Sequence, residues 1–170
     1  MKLPGQRRRL HLLALVCSLS LLGCSGRPSA AAPTLNQGAA LPGDLPMNPL
    51  PWRMITSMAD ETSSTMSTLY GNDLAVDYAR AHSDRNYPDG SVLALVTWTQ
   101  QNDPRWFGAR IPDRVNSVEF LTVGALPDGH ATYSYQEYAG TPLKQASAEQ
   151  TATPSGRALF LLAQRAAVLP

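Results

Sequence analysis

The chain has 170 residues, the length of one domain with a tail. Apolar residues make up 44% and charged residues 16%, and 14 Lys plus Arg against 13 Asp plus Glu leave a net charge of +1. No basic surplus is available to neutralise a phosphate backbone, which excludes nucleic-acid binding, and 14 prolines with 12 glycines exclude an all-helical bundle.

The first elements read as an export signal. Lys2, Arg7, Arg8 and Arg9 precede an apolar run from Leu10 to Leu22. Its 13 residues are too few to span a bilayer as a helix but suit a signal-peptide core. The run ends in Leu21-Leu22-Gly23-Cys24. This reads as a bacterial lipobox, with cleavage before Cys24 and a diacylglycerol on its sulfur. Residues 1–23 are therefore the expected signal peptide and Cys24 the expected lipidation site. Loss of the four N-terminal cations leaves 10 basic against 13 acidic residues, a net charge of −3. Cys17 leaves with the signal and Cys24 is taken by lipid, so no thiol remains for a disulfide, a nucleophile or a zinc site. Each buried acyl methylene adds ~0.8 kcal/mol of membrane affinity. The expected location is periplasm-facing and lipid-anchored, and Ser25 rather than Asp after the cysteine favours the outer membrane.

Residues 24–51 read as a lipidated tether. Positions 25–51 hold six Pro, three Gly and five Ala, and the prolines at 28, 33, 42, 46, 49 and 51 break any regular element. Extended as polyproline at ~3.1 Å per residue, the tether reaches roughly 80 Å. Met47, Leu50 and Trp52 are the side chains that would anchor its last third if it packs on the domain.

The folded domain is expected over 52–170. Ser64–Tyr70 alternates as a strand. Asn72 is a good N-cap for a short helix over Asp73–His82, with Leu74, Ala75, Tyr78 and Ala79 at helical spacing. Tyr87-Pro88-Asp89-Gly90 is a turn. Ser91–Thr99 follows as a central strand that is apolar on both faces. Gln100–Asp113 reads as a polar loop, Arg114–Val123 as a second strand, Leu126–His130 as a turn and Ala131–Tyr138 as a third strand. Thr153 as N-cap and Pro154 as first residue open a closing helix with an Ala158, Leu159, Leu162, Ala163 and Ala166 stripe, Arg157 remaining on its polar side. The expected fold class is α+β: a mainly antiparallel β-sheet with a short helix after the first strand and a C-terminal helix packed on it.

Two blocks carry a family likeness: Met66-Ser67-Thr68-Leu69-Tyr70-Gly71-Asn72-Asp73-Leu74-Ala75, and Tyr87-Pro88-Asp89-Gly90-Ser91-Val92-Leu93 running on to Trp98. In order and spacing they resemble the cytochrome P460 family, and the likeness extends over roughly Trp52 to Pro170. The resemblance implies an exported, mostly antiparallel domain binding one c-type haem and acting on hydroxylamine or nitric oxide. In that family Cys-x-x-Cys-His near the C-terminus holds the haem. Here Leu159, Leu162 and Ala163 stand where the resemblance puts its cysteines and histidine. Aliphatic side chains form no thioether and ligate no iron, so no covalent haem is expected.

The remaining candidates are sparse. His82 and His130 are the histidines left after export, and either could ligate a non-covalent haem. Asp73 and Asp77 lie four apart on one helix face, and Asp89 and Asp128 sit in Pro-Asp-Gly turns. Trp98, Trp106 and Phe107 are candidates to line an apolar ligand pocket or a partner-binding patch, with Arg105 and Arg110 beside them to hold an anion. No metal motif, phosphate loop or nucleophile elbow is present. The expected function is an envelope lipoprotein that binds a small ligand or a protein partner. The alternative is a periplasmic redox protein using non-covalent haem.

Overall fold

The computed structural model describes residues 36–151 and 153–167. The signal segment, Cys24 and residues 25–35 of the tether lie outside them. The fold is α+β and mostly β. Six strands, β1 (Arg53–Asp60), β2 (Thr65–Gly71), β3 (Val92–Asn102), β4 (Arg110–Ala125), β5 (Ala131–Ala139) and β6 (Lys144–Thr151), form one sheet in sequence order. Every neighbouring pair is antiparallel. Helix α1 (Asp73–Ala81) connects β2 to β3, and α2 (Gly156–Leu162) follows β6.

The first helix therefore follows the second strand. Arg53–Asp60 adds a strand ahead of it and Lys144–Thr151 adds one after β5. Both are sheet edges. Ile55 is the one buried residue of β1, and β6 buries none, so neither shows the alternation that marks a half-buried strand. Part of the expected polar loop is ladder: Gln100 pairs with Pro112, Gln101 with Ile111 and Asn102 with Arg110.

The helix caps follow side-chain chemistry. Asn72 Oδ1 accepts from the Ala75 N–H at 3.0 Å and the Val92 N–H at 3.2 Å, and its amide donates to the Gly90 carbonyl at 2.8 Å. One side chain thus fixes the helix start to the strand that follows. At α2 the cap is Ser155, which accepts from the Ala158 N–H at 3.4 Å, and not Thr153. Pro154 consequently lies outside the helix. The buried stripe is Ala158, Leu161 and Leu162, while Leu159 is partly exposed.

Both faces of the sheet are covered. Leu69, Leu93, Leu95, Leu121 and Val123 pack beneath α1 and α2 with Ala75, Val76, Ala158, Leu161 and Leu162. On the opposite face Ala94, Val96, Trp98, Val118, Phe120 and Tyr138 pack with Leu143, and Ala39, Leu41, Leu45 and Trp52 close over them. The compact unit accordingly begins at Asn36 and not at Trp52. Residues 36–51 form a strap containing a 3-10 turn, Gln37–Ala39, and a parallel bridge from Gly43 to Leu143. The prolines that forbid a strand or helix are compatible with an extended strap, and its leucines replace the helices on this face. Met47 and Leu50 are exposed and do not anchor it.

Candidate functional site

The helix-covered face is apolar at one end and polar at the other, because strand alternation brings different residue types to it. In register, Leu95 of β3 lies opposite Glu119 of β4, Glu119 opposite Glu137 of β5, and Glu137 opposite Ser147 of β6. Glu119 belongs to the run Val118-Glu119-Phe120-Leu121, all buried, and it is 3% exposed. A carboxylate so placed needs partners. The Tyr135 hydroxyl donates to Glu119 Oε2 at 2.7 Å. Arg157, in the first turn of α2, supplies a two-pronged fork: Nε donates to Oε2 and Nη2 to Oε1, each at 2.5 Å. Phe160, one turn further on, lies 4.7 Å from the guanidinium carbon and backs the fork with its ring.

The cluster has a defined protonation pattern. Burial, with the hydrogen bond to Glu119 second, pushes the Tyr135 phenol well above the usual tyrosine range. The bond to Glu119 likewise raises the Arg157 guanidinium. The site is thus a neutral phenol and a matched ion pair.

Above this cluster lies a cavity of about 540 Å³, bounded by Thr97, Ser117, Glu119, Tyr135, Glu137 and Arg157, with Ser147 and Glu149 on its β6 side. A second cavity of about 230 Å³ adjoins it, bounded by Met58, Asp60, Ser67 and Phe160. Thr97 and Arg157 border both. With Arg157 matched to Glu119, the carboxylates of Glu137 and Glu149 leave the larger cavity net negative. The Ser147 hydroxyl donates to Glu137 at 3.3 Å.

The residues singled out from sequence lie elsewhere. His82 caps the C-terminal end of α1, exposed, with its ring stacked on Tyr78 at 4.2 Å. His130 is exposed in the turn after β4, its N–H bonded to Asp128. Trp98 is buried in the strap-covered layer, with Nε1–H donating to the Ala39 carbonyl at 3.0 Å. Trp106 and Phe107 are 71% and 109% exposed in the β3–β4 loop. The three aromatics therefore do not share a pocket: Trp98 is used as core and the other two face solvent. Asp73 and Asp77 both pair with Arg53, at 3.4 and 2.8 Å, on the surface. Among the described residues no three His, Cys, Asp or Glu side chains gather to hold a metal.

Haem makes specific demands, and the cavity does not meet them. Its walls hold no His, Cys or Met. Tyr135 alone is of a type that ligates haem iron, and its hydroxyl is committed to Glu119 and held protonated. Met58, in the smaller cavity, is a lone thioether. The acidic walls also oppose a group that carries two propionates.

Sequence reasoning passed over Glu119, Tyr135 and Arg157. An acid inside an apolar strand was the available signal for Glu119, since such a group must find a cation. Nothing in the sequence named Arg157 as that cation.

The description Cytochrome P460 belongs to a family model that matches residues 50–153, which takes in β1 through β6. No curated protein matches the sequence. Helix α2, with Arg157 and the aliphatic residues aligned to the haem motif by resemblance, follows the matched stretch. Over more than half its length, and through every strand of its sheet, the chain belongs to the cytochrome P460 family.

Proposed function

We propose that this protein is an exported lipoprotein, anchored through Cys24, whose P460 domain binds a small polar ligand of positive charge and does not use covalent haem. The observation that carries the reading is the cavity over Glu119, Tyr135 and Arg157, with its acidic walls. A small amine or guanidinium would pair with Glu137 and Glu149, and the ring of serines and threonines would supply further acceptors. Tyr135 and Arg157 then fix the floor: the phenol and the fork hold Glu119 still and keep its charge matched.

Family membership favours a second reading, in which haem is held non-covalently with His82 or His130 as axial ligand. Protein-partner binding remains a third role for an envelope lipoprotein.

The purified full chain is titrated by calorimetry with a set of small amines, guanidines and carboxylates, and by absorbance with haemin. Saturable amine or guanidine binding, lost when Ser147→Trp fills the cavity, supports the reading. A stoichiometric Soret shift that His82→Ala or His130→Ala removes would overturn it and restore the haem chemistry of the family. Binding to neither class leaves the cavity without its proposed ligand and overturns the reading in favour of a partner protein.

A further inference from the structure

The β3–β4 hairpin ends in an aromatic tip. The Ala109 N–H donates to the Trp106 carbonyl at 3.1 Å and the Asp103 N–H to the Ala109 carbonyl at 2.9 Å. Gly108, at φ +79, lets the chain turn, and a Cβ added there would meet nothing within 4 Å. The turn holds Trp106 and Phe107 out in solvent, and neither belongs to either core layer. Two adjacent exposed aromatics cost solubility and add nothing to the fold. Arg105 and Arg110 flank them, exposed and without an ion pair among the described residues.

The strap begins at the same end of the sheet. The Asn36 side-chain amide donates to the Pro112 carbonyl at 2.6 Å, and Pro112 pairs with Gln100 only two ladder positions from the last pair before the tip. Trp106 and Pro112 are six positions apart, at most about 22 Å of chain. Eleven residues, 25–35, separate Asn36 from Cys24, a span of about 40 Å at full extension. A lipid on Cys24 can therefore reach the level of the tip.

We propose that the Trp106–Phe107 tip inserts into the interface of the bilayer that holds the lipid on Cys24, so that the domain has a second membrane contact which sets its orientation. The inference rests on the lipoprotein reading above. Tryptophan and phenylalanine suit the headgroup boundary, where an aromatic ring is buried while the indole N–H stays hydrated. Arg105 and Arg110 suit the anionic headgroups beside it.

The test uses the full chain produced with its lipid and reconstituted in vesicles of phosphatidylethanolamine with a minority of phosphatidylglycerol. Acyl chains brominated near the headgroup quench tryptophan emission by contact, and the mass of the chain reports lipid on Cys24. The expected result is quenching of the wild type that Trp106→Phe loses, since Trp98 is core and Trp52 is half-buried against the strap-covered layer. A lipidated chain that is not quenched, or one quenched equally with and without Trp106, overturns the tip contact and leaves the anchor standing. A chain with no lipid on Cys24 overturns the anchor, and the tip inference falls with it.

Discussion

The indole of Trp98 and the carbonyl of Ala39, 59 positions apart, are joined by a 3.0 Å hydrogen bond. It makes a proline-rich segment part of the core. Trp98 lies opposite Val115 in the ladder, within the same buried cluster as Val118, and gives its N–H to the strap, so a buried donor is satisfied by the chain that covers it. The strap thereby takes on the role that helices play on the opposite face.

Gly43 is where that strap is most sensitive. Its φ is +141, and an added Cβ would lie 2.3 Å from the Leu143 carbonyl oxygen. Gly43→Ala is expected to break the Gly43–Leu143 bridge at a cost of about 1–3 kcal/mol. Limited proteolysis checks it: cuts should appear within 36–51 before any appear in the sheet.

Arg157→Ala leaves Glu119 with a single partner, Tyr135. The expected loss is about 1–3 kcal/mol by urea denaturation, at the lower end because the Arg157 side chain is 45% exposed. The double variant Glu119→Leu/Arg157→Leu removes both charges and should recover part of the loss, as matched apolar replacements of buried pairs do. Equal destabilisation by the double variant and the sum of the singles would show that the pair is not coupled.

Alkaline pH tests the phenols. Tyr135 ionises above its ordinary value of 10.0 when folded, because of burial and Glu119. Tyr78 is pushed up to about 12, chiefly by its hydrogen bond to the Asp84 carboxylate. A folded value raised above the unfolded one means that the stabilisation is fully present below pH 10 and is lost as pH climbs through the folded values. Burial also raises Tyr70 and Tyr87, so ultraviolet titration should show four tyrosines lagging, Tyr135 and Tyr78 the most, and Tyr135→Phe should remove one and flatten the alkaline decline in stability.

Ser91 is fully buried, and its hydroxyl has no hydrogen-bond partner among the described residues. Its backbone is fully used, with N–H to the Pro88 carbonyl and C=O from the Val123 N–H. Ser91→Ala should therefore stabilise the domain by about 1 kcal/mol, read from the urea midpoint at unchanged slope.

The legible parts of the fold were those with strong local chemistry. Asn72 as a cap, the Pro-Asp-Gly turns and the two-faced Val92–Trp98 stretch each carry their own structural reason, and α1, β3 and β5 fall within two or three residues of expectation. The α+β class followed from them. The edge strands were illegible because a strand with one or no buried side chain has no period to read. The strap was illegible because its order comes from what it covers: Leu41 and Leu45 are held by the far face of a sheet whose sequence lies downstream. The site was obscured for the same reason. Arg157 on a helix and Glu119 on a strand, 38 positions apart, acquire meaning only once both are placed. The aromatic trio shows the converse, since residues close in sequence were separated by alternation and by a hairpin turn.

A sheet whose strands pair in the order they are written is built from neighbouring hairpins, four of its connections short and the one between β2 and β3 carrying α1. The ion pair does not share that order. Glu119 enters the sheet with β4, while Arg157 arrives after β5 and β6, at the far end of the chain. In the folded domain the buried acid is therefore neutralised by a residue that follows all six strands in the chain. A chain cut before Ser155 would keep all six strands but leave the Glu119 carboxylate without its cation, so the sheet alone is expected to be less stable than the sheet with its last helix.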